Sequence, residues 1–306
     1  MNPIYSAIYT LGTKMTVHSS KVLGCALGTL MWNSIPKRRK LAITAIQRHL
    51  NVEYEEAVVI AKKSFMHNCR SFLELFLVPK VNQKFINELV VQDPENAFST
   101  CVATNSPMIA VTAHMGAWEI MAGLLGEIGS VAHRAQPLVV VRTNKNKNIN
   151  ELIFKLRGGR GAVVLSHRNA VFGVLRALKR KGIAAFLVDH NTKRKEALFT
   201  DFLGETAAVN SGPAFLALRG KAIVLPAFLV RNEQGGYTFI LEKPLDTESL
   251  QGTREEKIQQ ITRFYTDAVE RIVRKYPEQW FWMHKRWKTQ PKAGDFILPR
   301  NDSSAQ

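Results

Sequence analysis

PMIAVTAHMGAWEI, residues 107 to 120, is the stretch on which the reading of the fold turns. Its first half, PMIAVTA, is a short apolar run of the kind that forms a strand buried on both faces. Its second half opens a helix predicted over 116 to 129. The alternation continues outward, with strand runs at PLVVV near 137, GAVVL near 161, GIAAFLV near 182, KAIVLPAFLV near 221 and YTFILEK near 237. Helical stretches at 147 to 157, 170 to 181 and 212 to 219 lie between them. Such a pattern predicts an α/β fold, a mostly parallel or mixed central sheet flanked by helices. Upstream, 37 to 50 and 53 to 78 read as helices, the second because Val58, Ala61, Phe65, Cys69 and Phe72 recur at spacings of three and four. Downstream, Thr253 and Glu256 form a capping box, and Ile258, Ile261, Tyr265, Ala268 and Ile272 mark one face of a closing helix.

The chain of 306 residues is long enough to bury a sizeable core, and 46% hydrophobic with 22% charged residues are ordinary globular values that suggest neither wholesale disorder nor a polytopic membrane protein. Charge is the anomaly. Lys and Arg outnumber Asp and Glu by 42 to 25, a net +17, so the expected partners are anionic. Cys25, Cys69 and Cys101 have no metal-binding spacing, which predicts a reducing compartment and no metal site. No organic cofactor is implied, and without zinc-finger spacing, an RNP-like strand or a recognition helix, nucleic acid is not the expected partner.

Residues 1 to 50 hold seven Lys or Arg and no acid. Ile4, Ile8, Leu11 and Met15 fall at helical spacing, and an apolar run follows from Val22 to Trp32. Lys14, His18 and Lys21 interrupt the uncharged sequence, so a basic amphipathic segment lying in a membrane interface fits better than a spanning helix, although a tilted single span stays open. A nearly neutral start without a small-residue cleavage site argues against a cleaved signal peptide. A globular helix packed on the core is the alternative. Ile4, Ile8, Leu11, Met15, Trp32 and the run Lys37, Arg38, Arg39 are the expected membrane contacts. Three segments result: basic membrane-associating helices at 1–50, an α/β domain at 51–290 and a loosely ordered tail at 291–306.

His114 follows a strand directly, and open α/β sheets place ligand sites at the carboxyl ends of strands. Residues five apart on a helix point roughly 140° from one another, so His114 and Glu119 meet only if the histidine sits in a turn before the helix, which Gly116 permits. A histidine oriented by a carboxylate is a general base able to activate a substrate hydroxyl. Spacing alone fits a structural histidine equally well.

Several motifs together carry a resemblance. HMGAWE at 114 to 119 is similar to HxGxWE; VVVRTNKNKNINELIFKLRGGRG from 139 matches a segment with an Arg closing a strand and a second Arg before glycine. VDH at 188 to 190 stands where a DQ is expected, FLGETAAVNSGPAFLA resembles FFGxPAATxxGxxxLA, and YPEQWFWMHKRWK resembles YPEQWxWxHRRWK. From 107 to 288 the chain thereby resembles the lipid A biosynthesis lauroyl/myristoyl acyltransferase family. Leu203, Thr206, Val209 and His190 depart from its pattern, which bears on the exact lipid substrate.

The resemblance implies an O-acyltransferase moving a fatty acyl chain from acyl carrier protein, or from acyl-coenzyme A, to a hydroxyl of an anionic glycolipid such as a lipid A precursor. It implies His114 and Glu119 as the catalytic pair and the cytoplasmic face of the bacterial inner membrane as the place of work. Arg142 and Arg157 are candidates for binding phosphate or developing negative charge. Asp189, at another strand end, is a candidate to pair with an arginine or bind the acceptor, or is a turn residue. Gly204, Asn210 and Gly212 are read as a loop before a helix, facing an anion or simply connecting. The rings of Trp280, Phe281, Trp282 and Trp287 among His284, Lys285, Arg286 and Lys288 suit either a membrane interface or the core.

Overall fold

A computed structural model describes residues 2–93, 105–132, 135–167 and 170–299. Five strands run parallel through its centre in the order β8 (Ile223–Arg231), β2 (Met108–Thr112), β5 (Ile183–Leu187), β3 (Leu138–Val141) and β4 (Val163–Ser166). Pro226 is the last residue of β8 paired with β2, and from Ala227 the strand pairs antiparallel with β9 (Tyr237–Leu241). A proline cannot donate to a ladder, so it falls where one neighbour gives way to the next. β1 (Val90–Asp93) completes that edge beside β9, and β10 (Leu245–Asp246) pairs the start of β8.

The return helices are α6 (Ile120–Val131), α7 (Lys147–Arg157), α8 (Ala170–Lys179) and α9 (Gly212–Arg219), with α10 (Arg254–Lys275) closing the chain. α6 is nearly all apolar, and its residues 120–129 are buried, as such a helix must be. The capping box at Thr253 and Glu256 forms, and the α10 face from Ile261 to Ile272 is buried in the core.

Upstream lie α1 (Pro3–Gly12), α2 (Val17–Ser34), α3 (Pro36–Leu50), α4 (Tyr54–Glu74) and α5 (Gln83–Leu89). α4 stops four residues short of the expected 78 and continues as a 3₁₀ turn, Leu75–Lys80, which contains Pro79. α2 packs on α4 through Ser20, Gly24, Gly28 and Trp32. A Cβ on Gly28 would lie 2.4 Å from the Met66 Cα, so only glycine allows this approach. The consequence is an inverted amphipathic helix: small residues face inward while Val22, Leu23, Leu27 and Leu30 face out.

The expected membrane contacts therefore divide. Ile4, Ile8, Leu11 and Lys37 are exposed. Trp32 instead packs edge-on against Phe65 in the core, and Met15 is half-buried against a second cluster. Arg38, also exposed, donates to the Met283 carbonyl, and half-buried Arg39 donates to the Trp32 carbonyl while lying over that ring. Among the described residues no helix is long and apolar enough to cross a membrane.

Residues 197–210, which include two of the three residues read as a loop before a helix, form a hairpin, β6 (Ala197–Phe202) and β7 (Glu205–Asn210). Gly204 is in its turn at φ +81°, at the opposite end from Asn210 and Gly212, so the three do not form one loop. Short strand β11 (Ile297–Leu298) joins β6, giving order to part of the segment after 291.

Candidate active site

Thr112 of β2 pairs with Leu187 of β5, so two residues farther on His114 and Asp189 leave adjacent parallel strands side by side. The His114 Nδ1 lies 2.8 Å from Asp189 Oδ1, and the His114 backbone N–H donates to Oδ2 at 2.8 Å. A carboxylate only accepts, so Nδ1 carries the proton and Nε2 is left as the basic nitrogen. No described residue partners Nε2. The His114 side chain is one-third exposed (33%), whereas that of Asp189 is fully buried.

Glu119, the expected partner, holds Arg157 instead. Arg157 Nε and Nη2 donate to its two oxygens at 2.7 and 2.6 Å, a bidentate pair. Helix α6 begins only at Ile120, and Glu119 as its N-cap turns its side chain toward the end of α7. The carboxylate gripping the imidazole is therefore Asp189, and Glu119 acts on the ring through its charge alone. Arg157 is bound to that glutamate rather than free for an anion.

Burial is the largest influence on His114 and disfavours imidazolium, but the charge and hydrogen bond of Asp189, with the charge of Glu119, outweigh it and the repulsion from Arg157. The ring is raised above its ordinary 6.5. Burial pushes Asp189 upward, yet the charge and hydrogen bond of His114, the charge of His284 and the hydrogen bond from Trp280 prevail, holding it far below the usual carboxylate range.

The turn between strand and helix is built by its neighbours. Gly116 adopts φ +55°, and a Cβ there would strike the Leu229 carbonyl at 2.2 Å. Its N–H donates to the Gln279 carbonyl, and its own carbonyl accepts from Ser71 Oγ at 2.7 Å. Phe281 N–H donates to the His114 carbonyl. Trp118 stands edge-on to the imidazole at 5.6 Å, and Phe281 lies tilted to it at 6.4 Å between ring centres.

The aromatic segment 280–287 belongs to the interior. Trp280 and Trp282 are buried, and Trp287 stacks on His49 at 3.6 Å. Arg286 is buried over the Phe202 ring, donates to the Ala208 carbonyl, and is pushed by burial down to about 10. Arg142 is exposed just after β3, on the carboxyl edge that carries His114 and Asp189. Asn210 Oδ1 accepts from the Gly212 N–H ahead of α9, a local turn. Sequence reasoning missed Trp280, which donates to Asp189, and Ser71, which holds the turn, as parts of this site. Equal offset of His114 and Asp189 from two strand ends was the one signal for their contact.

A histidine raised in basicity by a buried aspartate thus stands at the carboxyl edge of the parallel sheet. The chain belongs to the bacterial lipid A biosynthesis acyltransferase family, whose profile matches residues 4–289. A lipid A biosynthesis palmitoleoyltransferase of Escherichia coli strain K12 is 26% identical over 165 residues, covering 53% of this chain and 52% of that protein. A lipid A biosynthesis lauroyltransferase of the same strain is 28% identical over 128 residues, covering 41% and 40%. The chain spans about half the length, or less, of these curated relatives.

Proposed function

We propose that the chain transfers a fatty acyl group from an acyl thioester to a hydroxyl of a lipid A precursor at a membrane surface, with His114 as general base. The contact between His114 Nδ1 and Asp189 carries this reading, because it leaves Nε2 basic and accessible. Nε2 takes the proton as the hydroxyl oxygen bonds to the thioester carbonyl carbon. The carbon–sulfur bond then breaks, and the departing thiolate keeps the electron pair and collects the proton from the imidazolium. No enzyme nucleophile is needed. The Glu119–Arg157 pair adds a fixed charge beside the ring, and exposed Arg142 on the same edge suits a phosphate of the acceptor or the developing oxyanion.

The basic surface, net +17, suits an acidic acyl carrier protein as donor, and equally the phosphates of an acyl-coenzyme A. The outward apolar faces of α1 and α2 support docking on the cytoplasmic leaflet of the inner membrane. The two relatives are named for different acyl groups, so chain length has to be read from product mass. Mass spectrometry of lipid A from cells with and without the chain is the test: an added acyl mass names the chain and its acceptor. His114→Ala should abolish that mass, with transfer in vitro falling on the order of 100-fold or more. An unchanged lipid profile would overturn the proposal.

A further inference from the structure

Asp189 Oδ1 meets the imidazole, and Oδ2 receives two donors, the His114 backbone N–H and Trp280 Nε1 at 2.9 Å. Both carboxylate oxygens are thereby fixed in one plane of rotation. Trp280 is itself held. Its carbonyl accepts from Ser64 Oγ at 2.5 Å and from Asn68 Nδ2 at 3.2 Å, both on α4, and its backbone bridges Met115 in the turn beyond His114. Ser64, Asn68 and Trp280 are all fully buried. One residue, through its backbone and its indole, thus joins α4, the turn beyond His114 and the aspartate.

The geometry points to Trp280 as a positioning residue that sets both the orientation of Asp189 and, through it, the basicity of His114. This inference rests on the reading of His114 as the base. An N–H donated to Oδ2 draws negative charge away from Oδ1 and weakens the grip on the imidazolium; a carboxylate without that donor would hold the proton on the ring more tightly. The indole therefore keeps the base from becoming too strongly protonated near neutrality, while the two-point fixation of Oδ2 keeps Nε2 aimed.

Other charges around the pair are accounted for. The ring also faces Glu119, ahead of α6, and Arg157, at the end of α7. Asp189 faces His284, and its charge is felt by His190 and Arg286. His284 is pushed by burial down to about 4, against the charge of Asp189; its Nδ1 faces the Phe281 carbonyl and its Nε2 the Asp189 carbonyl. Arg286 stays charged throughout. None of these contacts changes when the indole N–H alone is removed.

Benzothienylalanine, which replaces the indole N–H by sulfur at nearly constant shape, is placed at position 280 of the full chain, alongside Trp280→Phe. Trp282→Phe serves as the packing control: Trp282 is equally buried and stands edge-on to Trp280 at 4.6 Å, but its Nε1 donates to the Pro277 carbonyl and not to Asp189. Two quantities are read: the titration of the His114 ring by NMR, and the acid limb of acyl transfer against pH. With the isostere both should move to higher pH by about half to one unit, as one hydrogen bond to the carboxylate is lost. The plateau rate should fall several-fold at unchanged KM, while Trp282→Phe lowers thermal stability and moves neither. If Asp189→Asn moves the acid limb but the isostere leaves ring and limb unmoved, or shifts them downward, this inference is overturned alone. If the ring moves and the limb does not, His114 is not the base and the functional reading falls with it.

Discussion

At the scale of single residues, the identity of the atom bonded to Nδ1 decides what His114 can do. Asp189 only accepts, so it locks the proton on Nδ1. An asparagine in its place can turn its amide N–H toward Nδ1 and force the proton onto Nε2, the nitrogen that must be free. Asp189→Asn should lower acyl transfer on the order of 100-fold to 10,000-fold. The pH dependence carries a sign. His114 is raised above 6.5 chiefly by Asp189 acting against burial, and a base works only when neutral, so activity rises with pH through that raised value. Removing the carboxylate lowers it, and the residual activity of Asp189→Asn should keep its plateau to lower pH than wild type; a limb that stays in place would contradict the assignment. Glu119 has a different job. Glu119→Gln leaves Arg157 buried without its bidentate partner and should cost about 3 kcal/mol of stability, part of which Arg157→Gln restores in the double variant, as denaturant titration would show. His114, Glu119 and the strand-end position of Asp189 were all visible in the sequence; the pairing was not, because a His and an acid 75 positions apart meet only through the register of two strands.

At the scale of elements, local pattern and tertiary context contributed unequally. Apolar runs and helical spacing mark β2, β5, β8, α3, α7 and α9 closely, since each carries one periodicity over its whole length. The β6–β7 hairpin escaped because its turn places Leu203 at φ +55° instead of using the glycine pair or asparagine that advertises such a turn. Leu203 tolerates that conformation where its N–H donates to Glu270 and its carbonyl accepts from His49. The α2–α4 contact shows the same dependence on context: Gly24 and Gly28 look like breaks in an apolar run, yet they are the points of closest approach. Gly28→Leu should push the helices apart and cost about 1–3 kcal/mol, more if α4 shifts. Because α4 also carries Ser64, Asn68 and Ser71, a shift there reaches the turn after His114, and transfer activity should fall along with the unfolding midpoint.

At the scale of the molecule, charge and exposed apolar surface act on the same partner by different laws. The net +17 attracts anionic lipid over a distance that salt shortens, to roughly 10 Å at 0.1 M. Leu23, Leu27 and Leu30 on the outer face of α2 act only on contact and are indifferent to salt. These side chains are about half exposed, so burying what remains of each contributes on the order of 1 kcal/mol. Arg38 and Arg39 each give one N–H to a carbonyl of the fold, which holds the cations in place and leaves their charge. Sedimentation with anionic vesicles should therefore weaken but persist as salt rises to about 0.5 M, where electrostatic attraction is largely screened. The triple change Leu23→Ser, Leu27→Ser and Leu30→Ser should remove the salt-resistant fraction and leave binding at low salt partly intact, with the pH dependence of transfer to a detergent-dispersed acceptor unchanged. Binding that vanishes at high salt in the unaltered chain would mean that α2 does not enter the bilayer and that charge alone holds the protein there.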